Sequence, residues 1–274
     1  FVIRFSMGVA GVALATSISQ YLSAALIAIC LMRSESCYRL HWDELALHKD
    51  KALPIIRIGL PAGLQSSIFA ISNVVIQSSI NSFGSIAMAG SAAAANIEGF
   101  VYVSMNSVAQ ASLSFASQNI GARRYERISK ISRTCLLLAA LFGLVLGNGV
   151  YLLHDTFLRF YSPDPAVIEA GALRLSVICT TYFLCGLMDT LACILRAMGK
   201  SLLPMVVTII GACGLRVLWI YTVFPLDRTF FTLFLSYPIT WGVTAAVHAV
   251  CYFFTKRTML RRAQASAPSE ASST

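Results

Sequence analysis

Three ionisable residues, Glu98, Asp189 and Arg216, stand inside long apolar stretches of this sequence. A charge at the centre of a bilayer costs about 2.5 to 3.5 kcal/mol on insertion scales, so each residue needs a partner, water or neutralisation. Carboxyl groups in such places form proton relays and ion pathways, often paired with an arginine. The structural alternatives are an inert buried acid and an arginine that only caps neighbouring carbonyls.

Seven apolar runs hold these residues, at positions 5–32, 58–80, 86–118, 134–153, 170–195, 201–224 and 230–255. Each run can cross a hydrocarbon core of roughly 30 Å, which needs about 20 helical residues. The chain is 57% hydrophobic and 12% charged, with a mean hydropathy of +0.72, whereas about a quarter of the residues in soluble proteins are charged. We therefore predict an all-α polytopic membrane protein.

Basic residues decide how these runs are oriented. Most of the 21 lysines and arginines lie in the gaps 33–57, 119–133, 196–200 and 256–262, which alternate with gaps that carry few. Loops rich in lysine and arginine remain on the cytoplasmic side. We expect a multi-pass protein of the cytoplasmic (inner) membrane, embedded in the lipid bilayer, with its C-terminus in the cytoplasm. Nucleic-acid binding is not expected, because this charge is spread over loops without an aromatic platform.

The longest hydrophilic gap divides the chain into two lobes. We expect residues 1–33 to be the last transmembrane helix of an N-terminal lobe, most of which precedes this chain, because Phe1 is not an initiator. Residues 34–57 are predicted to be a cytoplasmic linker with an amphipathic segment. Residues 58–256 are predicted to form a six-helix transmembrane bundle. Residues 257–274 end in a run rich in Ala and Ser, which favours a disordered cytoplasmic tail.

Depth in the membrane decides which charges can pair. At 1.5 Å per helical residue, Asp189 lies about 10 Å from the inner edge, Glu98 about 13 Å and Arg216 about 22 Å. Two long side chains can close the difference between Glu98 and Arg216. We therefore predict that Glu98 is the ionic partner of Arg216, and that Asp189 is freer to bind H⁺ or Na⁺. Arg174 is assigned to a gap on the outer side.

Polar and aromatic residues recur near these charges. The run 58–80 carries Ser66, Asn73 and Gln77 on one helical face. Further candidates for a cavity wall are Asn96, Tyr102, Asn106, Gln110 and Tyr182. Such amides either line a wet cavity or form interhelical hydrogen bonds, which contribute about 0.6 kcal/mol each in membranes. The tyrosines either stack on an aromatic cation or belong to the core.

Five short motifs occur in order along the chain: GLPAGLQ at 59–65, MAGSAAAANIEGF at 88–100, SQNIGARRY at 117–125, LRAMGKS at 195–201 and LRVLWI at 215–220. Together they resemble the multidrug and toxic compound extrusion (MATE) family over nearly the whole of residues 5–255. The resemblance implies two six-helix lobes, alternating access, and export of cationic or amphipathic compounds in exchange for H⁺ or Na⁺. It implies no enzyme activity and no cofactor other than the coupling ion.

Two departures from the family pattern concern the coupling ion. Many members carry a carboxylate in the first helix of this lobe, where Phe69 stands here. Asp189 also lies about one helical turn nearer the 195–201 motif than the acid of Na⁺-coupled members. Both departures argue against a simple transfer of Na⁺ coupling to Asp189.

Other function classes fit the residues less well. A lipid-linked oligosaccharide flippase of the same superfamily would need several cationic cavity residues, and only Arg216 qualifies on the sequence. A heptahelical receptor of the retinal type would need a lysine in the run 230–255, which has none. A membrane enzyme would need a catalytic group, but His41, His48, His154 and His248 lie far apart without metal-ligand spacing.

Overall fold

The computed structural model describes residues 6–35, 39–41, 46 and 48–265. Its main helices are α1 (Gly8–Arg33), α2 (Lys49–Asn81), α3 (Ser85–Gly121), α4 (Ile128–Leu152), α5 (His154–Arg159), α6 (Pro165–Ala197), α7 (Leu202–Thr208), α8 (Leu215–Thr222) and α9 (Phe230–Ala265). A π-helical turn at Ile209–Gly214 joins α7 to α8 in one span. In this part of the chain, seven helices are long and apolar enough to cross a membrane. The predicted all-α polytopic fold is confirmed.

The helices extend beyond the predicted apolar runs. α2 begins at Lys49 and not at 58, α6 begins at Pro165 and not at 170, and α9 continues to Ala265, where the sequence predicted a disordered tail from residue 257. Hydropathy marks where the lipid ends, but lysine and arginine are good helix formers and continue a helix into the polar zone. Much of the predicted amphipathic segment and the tail beyond 265 lie outside the described residues.

Two compact units divide the chain, Phe1–Leu53 and Pro54–Thr274. The first unit contains α1, whose side chains are mostly exposed within it. The second unit contains nearly all of α2 and the other five spans, and it holds the buried core. The assignment of residues 1–33 and 58–256 to two different lobes stays a prediction.

α6 is the central helix of the second unit, and its ends are set locally. The Asp164 carboxylate accepts a hydrogen bond from the Ala166 amide at 3.0 Å, and Pro165 occupies the first helical position. After the other end, Gly199 adopts a φ of +77°, a conformation that favours glycine. Between these ends, α6 packs against α3, α4 and α9 and is buried on most of its surface.

Small residues allow these neighbours to approach α6 closely. A Cβ on Gly147 of α4 would collide with the carbonyl oxygen of Cys179 in α6. A Cβ on Gly90 of α3 would lie 2.8 Å from the backbone nitrogen of Gly171, also in α6. Because lipid is as apolar as leucine, close backbone packing of this kind is a main source of attraction between transmembrane helices. The helices α3, α4 and α6 therefore form the tightly packed part of the bundle.

The span from α7 to α8 departs from regular helical geometry. Its π-helical turn contains Gly211, which lies so close to Thr244 of α9 that a Cβ would collide with the Thr244 hydroxyl. A π-helical turn absorbs one extra residue and changes the direction of the side chains that follow it. Arg216 comes two residues after this turn, and the turn therefore sets the face on which Arg216 lies.

The contact between Gly147 and Cys179 predicts how two neighbouring glycines of α4 should differ. Gly147→Val should destabilise the folded protein by about 1 to 3 kcal/mol or more, because the rigid backbone of α6 stands in the way. Gly149→Val introduces valine into the same helix, but a Cβ at Gly149 meets no atom within 4 Å. Its unfolding temperature should therefore stay close to that of the wild type. The measurement is the unfolding temperature of each variant in detergent. Equal losses for both variants would contradict the packing described.

Candidate functional site

A cavity of about 540 Å³ lies within the second unit, between side chains of α2, α3, α6 and α9. Five aromatic residues contribute to its wall: Phe69, Tyr102, Tyr182, Tyr237 and Trp241. The rings of Tyr182 and Trp241 are 5.3 Å apart between centroids. Pockets for small molecules usually have volumes of roughly 300 to 1,000 Å³ and mostly apolar walls with a few polar groups. The cavity therefore has the size of a site for a drug-sized compound.

Seven of the eight residues predicted to form a cavity wall line this cavity. The cavity is lined by Ser66, Asn73, Gln77, Tyr102, Asn106, Gln110 and Tyr182. Asn96 is exposed and does not line it. Glu98 is two residues after Asn96, a rotation of about 200° around the helix. The two side chains therefore point in nearly opposite directions.

Glu98 forms an ion pair with Arg174 of α6. Arg174 Nε donates to Glu98 Oε1 and Arg174 Nη2 donates to Oε2, both at 2.8 Å. Arg174 Nη1 also donates to the Ser91 hydroxyl at 2.6 Å, and the guanidinium lies 5.3 Å from the centroid of the Phe234 ring. The side chains of Glu98 and Arg174 are only 6% and 10% exposed. This two-point geometry is the strongest form of a charged hydrogen bond in proteins.

The predicted pair between Glu98 and Arg216 is therefore wrong. The sequence pattern assigned Arg174 to a gap on the outer side, but Arg174 lies inside α6, nine residues after Pro165, and bonds to Glu98. A signal for this was available, since Arg174, Tyr182 and Asp189 follow one another at spacings that keep them on one helical face. The apolar edge of the run concealed it.

Arg216 is fully buried, and no carboxylate oxygen within residues 48–261 lies within 4 Å of its guanidinium nitrogens. Its Nη1 donates to Asn73 Oδ1 at 3.3 Å, and its Nη2 donates to the Thr240 hydroxyl at 3.4 Å. The guanidinium lies 4.1 Å from the Tyr237 ring centroid and 5.5 Å from that of Phe69. Cation–π contacts are worth about 2 kcal/mol or more when desolvated. Arg216 thus connects α8 to α2 and α9 from behind the cavity wall.

Asp189 lines the cavity and is partly exposed to it. In the described part of the second unit, no side chain forms a hydrogen bond or an ion pair with its carboxylate by ordinary distance criteria. The basic residue whose charge acts on it is Arg196, two helical turns along α6. Arg196 itself donates from Nη2 to Gln65 Oε1 of α2 at 2.7 Å. Of the two predicted coupling acids, Glu98 is neutralised by an arginine and Asp189 has no such partner.

Sequence reasoning missed four residues of this site. Arg174 and Ser91 hold Glu98, and Gln65 and Arg196 connect α2 to α6. Gln65 and Arg196 belong to two of the quoted motifs, so their sequence context was visible. Their contact was not, because 131 residues separate them.

The ion pair makes a test of stability possible. Arg174→Leu should cost about 3 to 5 kcal/mol, because it leaves Glu98 buried without a partner. The double variant Glu98→Leu/Arg174→Leu should recover most of that loss. The control is the exposed pair of Asp155 and Arg159, with N and O atoms 2.9 Å apart, where replacing one partner should cost about 1 kcal/mol or less. Unfolding in detergent measures both pairs, and a loss for Arg174→Leu no larger than the control would contradict the burial described.

Comparisons with known proteins match this chain to a family. The MatE family model matches residues 61–222. The probable multidrug resistance protein NorM of Thermotoga maritima is 24% identical over 205 residues, which cover 75% of this chain and 44% of that protein. The multidrug export protein MepA of Staphylococcus aureus is 21% identical over 217 residues, covering 79% of this chain and 48% of that protein.

The fold has the same counterpart among solved structures. A crystal structure of a mutant of the Vibrio cholerae MATE transporter VcmN superposes with a TM-score of 0.81 at 17% identity, covering 94% of this chain and 58% of that one. The chain spans about half the length of the curated relatives it matches. On the match over residues 61–222, the chain belongs to the MATE family.

Proposed function

We propose that this chain forms one lobe of a secondary transporter that exports cationic or amphipathic compounds in exchange for H⁺ or Na⁺ by alternating access. The observation that carries the proposal is the state of the two cavity acids. Glu98 is held by Arg174, whereas the Asp189 carboxylate faces the cavity and has no ion-pair partner among the residues that the structure describes. Asp189 is therefore the acid that an incoming cation can occupy.

The exchange follows from competition for one carboxylate. When Asp189 is ionised, the cavity attracts a cationic compound, and the aromatic rings of Tyr182 and Trp241 can stack on it. When a proton or Na⁺ occupies Asp189, that attraction is lost and the compound leaves. A ligand shifts a conformational equilibrium only by its different affinity for the two states. Because Asp189 holds either the compound or the ion, export of the compound is linked to entry of the ion.

A proton is the simpler coupling ion for this arrangement. It needs one oxygen acceptor, which Asp189 supplies. A metal cation needs several oxygen ligands, of which the Asp189 carboxylate supplies at most two. Glu98, the other acid on the wall, already uses both oxygens with Arg174.

The names of the relatives, and the share of their length that this chain covers, support a two-lobe transporter. NorM and MepA are named as multidrug resistance and export proteins, and this chain matches less than half of each. We propose that α1 belongs to the other lobe of this transporter. The basic gaps 196–200 and 256–262 support a cytoplasmic location for the C-terminus in the cell membrane.

A second candidate function, the lipid-linked oligosaccharide flippase, gains one observation from the structure. Arg174 and Arg196 line the cavity, so its wall carries more basic residues than the sequence indicated. Glu98 neutralises Arg174, however, which leaves Arg196 to face an anionic group. Binding of pyrophosphate to the purified protein would favour this candidate over drug export.

The proposal predicts that Asp189→Asn abolishes exchange. Export of a fluorescent cation driven by a pH or Na⁺ gradient should fall to background, because an amide does not bind and release a proton. Asp155→Asn is the control, since this exposed acid pairs with Arg159 away from the cavity and should leave transport unchanged. Vesicles with matched amounts of each variant provide the measurement. A protonophore or a Na⁺ ionophore then distinguishes the two ions, and wild-type transport by Asp189→Asn would overturn the proposal.

A further inference from the structure

Two arginines connect α2 to other helices of the second unit. Arg196 of α6 donates to Gln65 at 2.7 Å, and Arg216 of α8 donates to Asn73 at 3.3 Å. Gln65 and Asn73 are eight residues apart, so both lie on one face of α2, with Phe69 between them. The α2 helix is therefore attached at its middle and in its second half through amide side chains.

The acceptors in both contacts are neutral. An amide oxygen accepts a hydrogen bond from a guanidinium but does not cancel its charge, whereas a carboxylate does both and binds roughly twice as strongly. Glu98 is already occupied by Arg174. Asp189 is the acid on the cavity wall that can compete with Gln65 for Arg196.

The guanidinium of Arg196 already points along α6 towards Asp189, since its Nη1 lies 3.9 Å from the Sγ of Cys193, which is four residues after Asp189. Seven residues separate Arg196 from Asp189, which is close to two full turns and about 10.5 Å along the axis. Side chains on a helix lean towards its N-terminus, so Arg196 leans towards Asp189. Both residues line the same cavity, and the charge of Arg196 already acts on Asp189.

We propose that Arg196 is a positioning residue that exchanges Gln65 for Asp189 and thereby transmits the charge state of Asp189 to α2. When Asp189 is neutral, Arg196 bonds to Gln65 and holds the middle of α2 against α6. When Asp189 is ionised, Arg196 turns to the carboxylate and releases Gln65. This inference rests on the proposed function, because it assumes that Asp189 gains and loses charge during transport.

Other titratable groups surround this pair. Tyr102 of α3 and Cys185 and Cys193 of α6 interact electrostatically with Asp189, and His248 of α9 interacts with Arg196. Tyrosine and cysteine ordinarily stay neutral below about pH 8. His248 is the group whose ordinary range overlaps with the physiological one, and the experiment must separate it from Asp189.

A cycle of variants at one fixed pH tests the exchange. Hydrogen–deuterium exchange of the α2 segment 58–66 is measured at pH 7.5 for the wild-type protein in lipid nanodiscs, for Asp189→Asn, for Arg196→Gln and for the double variant. Asp189→Asn imitates the neutral acid and should protect this segment about fivefold or more, the lower limit of typical coupling between sites. In the Arg196→Gln background, Asp189→Asn should change nothing, because the residue that transmits the charge is gone.

Further variants guard against misfolding and other causes. Gln65→Leu should abolish the effect of Asp189→Asn in the same way, and Arg196→Lys should restore part of it, since an ammonium can bond to either partner. Gln77→Leu is the matched control, because Gln77 lies on the same helix and the same cavity wall but donates to Asn81 within α2. It should leave the effect intact, as should His248→Gln.

The outcomes separate this inference from the proposed function. Equal protection by Asp189→Asn in the wild-type, Gln65→Leu and Arg196→Gln backgrounds would overturn the role of Arg196, even if transport depends on Asp189. Loss of the effect in His248→Gln would assign the transmission to His248 and also overturn it. Transport that is independent of Asp189 would overturn the proposed function whatever the exchange data show.

Discussion

The bundle depends on a single constraint: a charge removed from water must meet an opposite charge or a substitute for one. Glu98 and Arg174 satisfy it with each other, and Ser91 takes the remaining guanidinium nitrogen. Because the pair spans α3 and α6, it fixes these two helices relative to each other and fills one side of the cavity with a neutral unit. Removing two charges from water is costly, so the net contribution of the pair to stability is smaller than the cost of removing one partner.

The other buried arginine satisfies the same constraint differently. Arg216 has the faces of Tyr237 and Phe69 and two neutral oxygens in place of a carboxylate. The aromatic side chain at position 69 of α2 is part of this arrangement. A second carboxylate on α2 at that position would lie beside Arg216 and neutralise it. The aromatic ring leaves Asp189 as the acid with unused capacity to bind a cation.

Hydropathy and charge alternation predicted the number of spans, and helical periodicity predicted most of the cavity wall, because both depend on properties of single helices. The pairing of charges depends on where each helix begins, and there the sequence failed. Arg174 was counted with an outer gap because it is charged and lies near the start of the apolar run, whereas it lies inside α6 and is buried. Contacts such as that of Gln65 with Arg196 join positions 131 residues apart, and no local pattern encodes them.

The π-helical turn at Ile209–Gly214 determines which side chains of this span face the inside of the bundle. In a regular helix, the eight steps from Thr208 to Arg216 would rotate the Arg216 side chain by about 80° from that of Thr208. Absorbing one residue in the wide turn reduces the difference to about 20°, so both side chains point inward and both are buried. The number of residues in this turn is therefore as important as their identity. Deleting one of them should turn the wide turn into a regular helical turn and leave Arg216 facing inward, whereas adding a further residue would rotate Arg216 by about 100° away from the core.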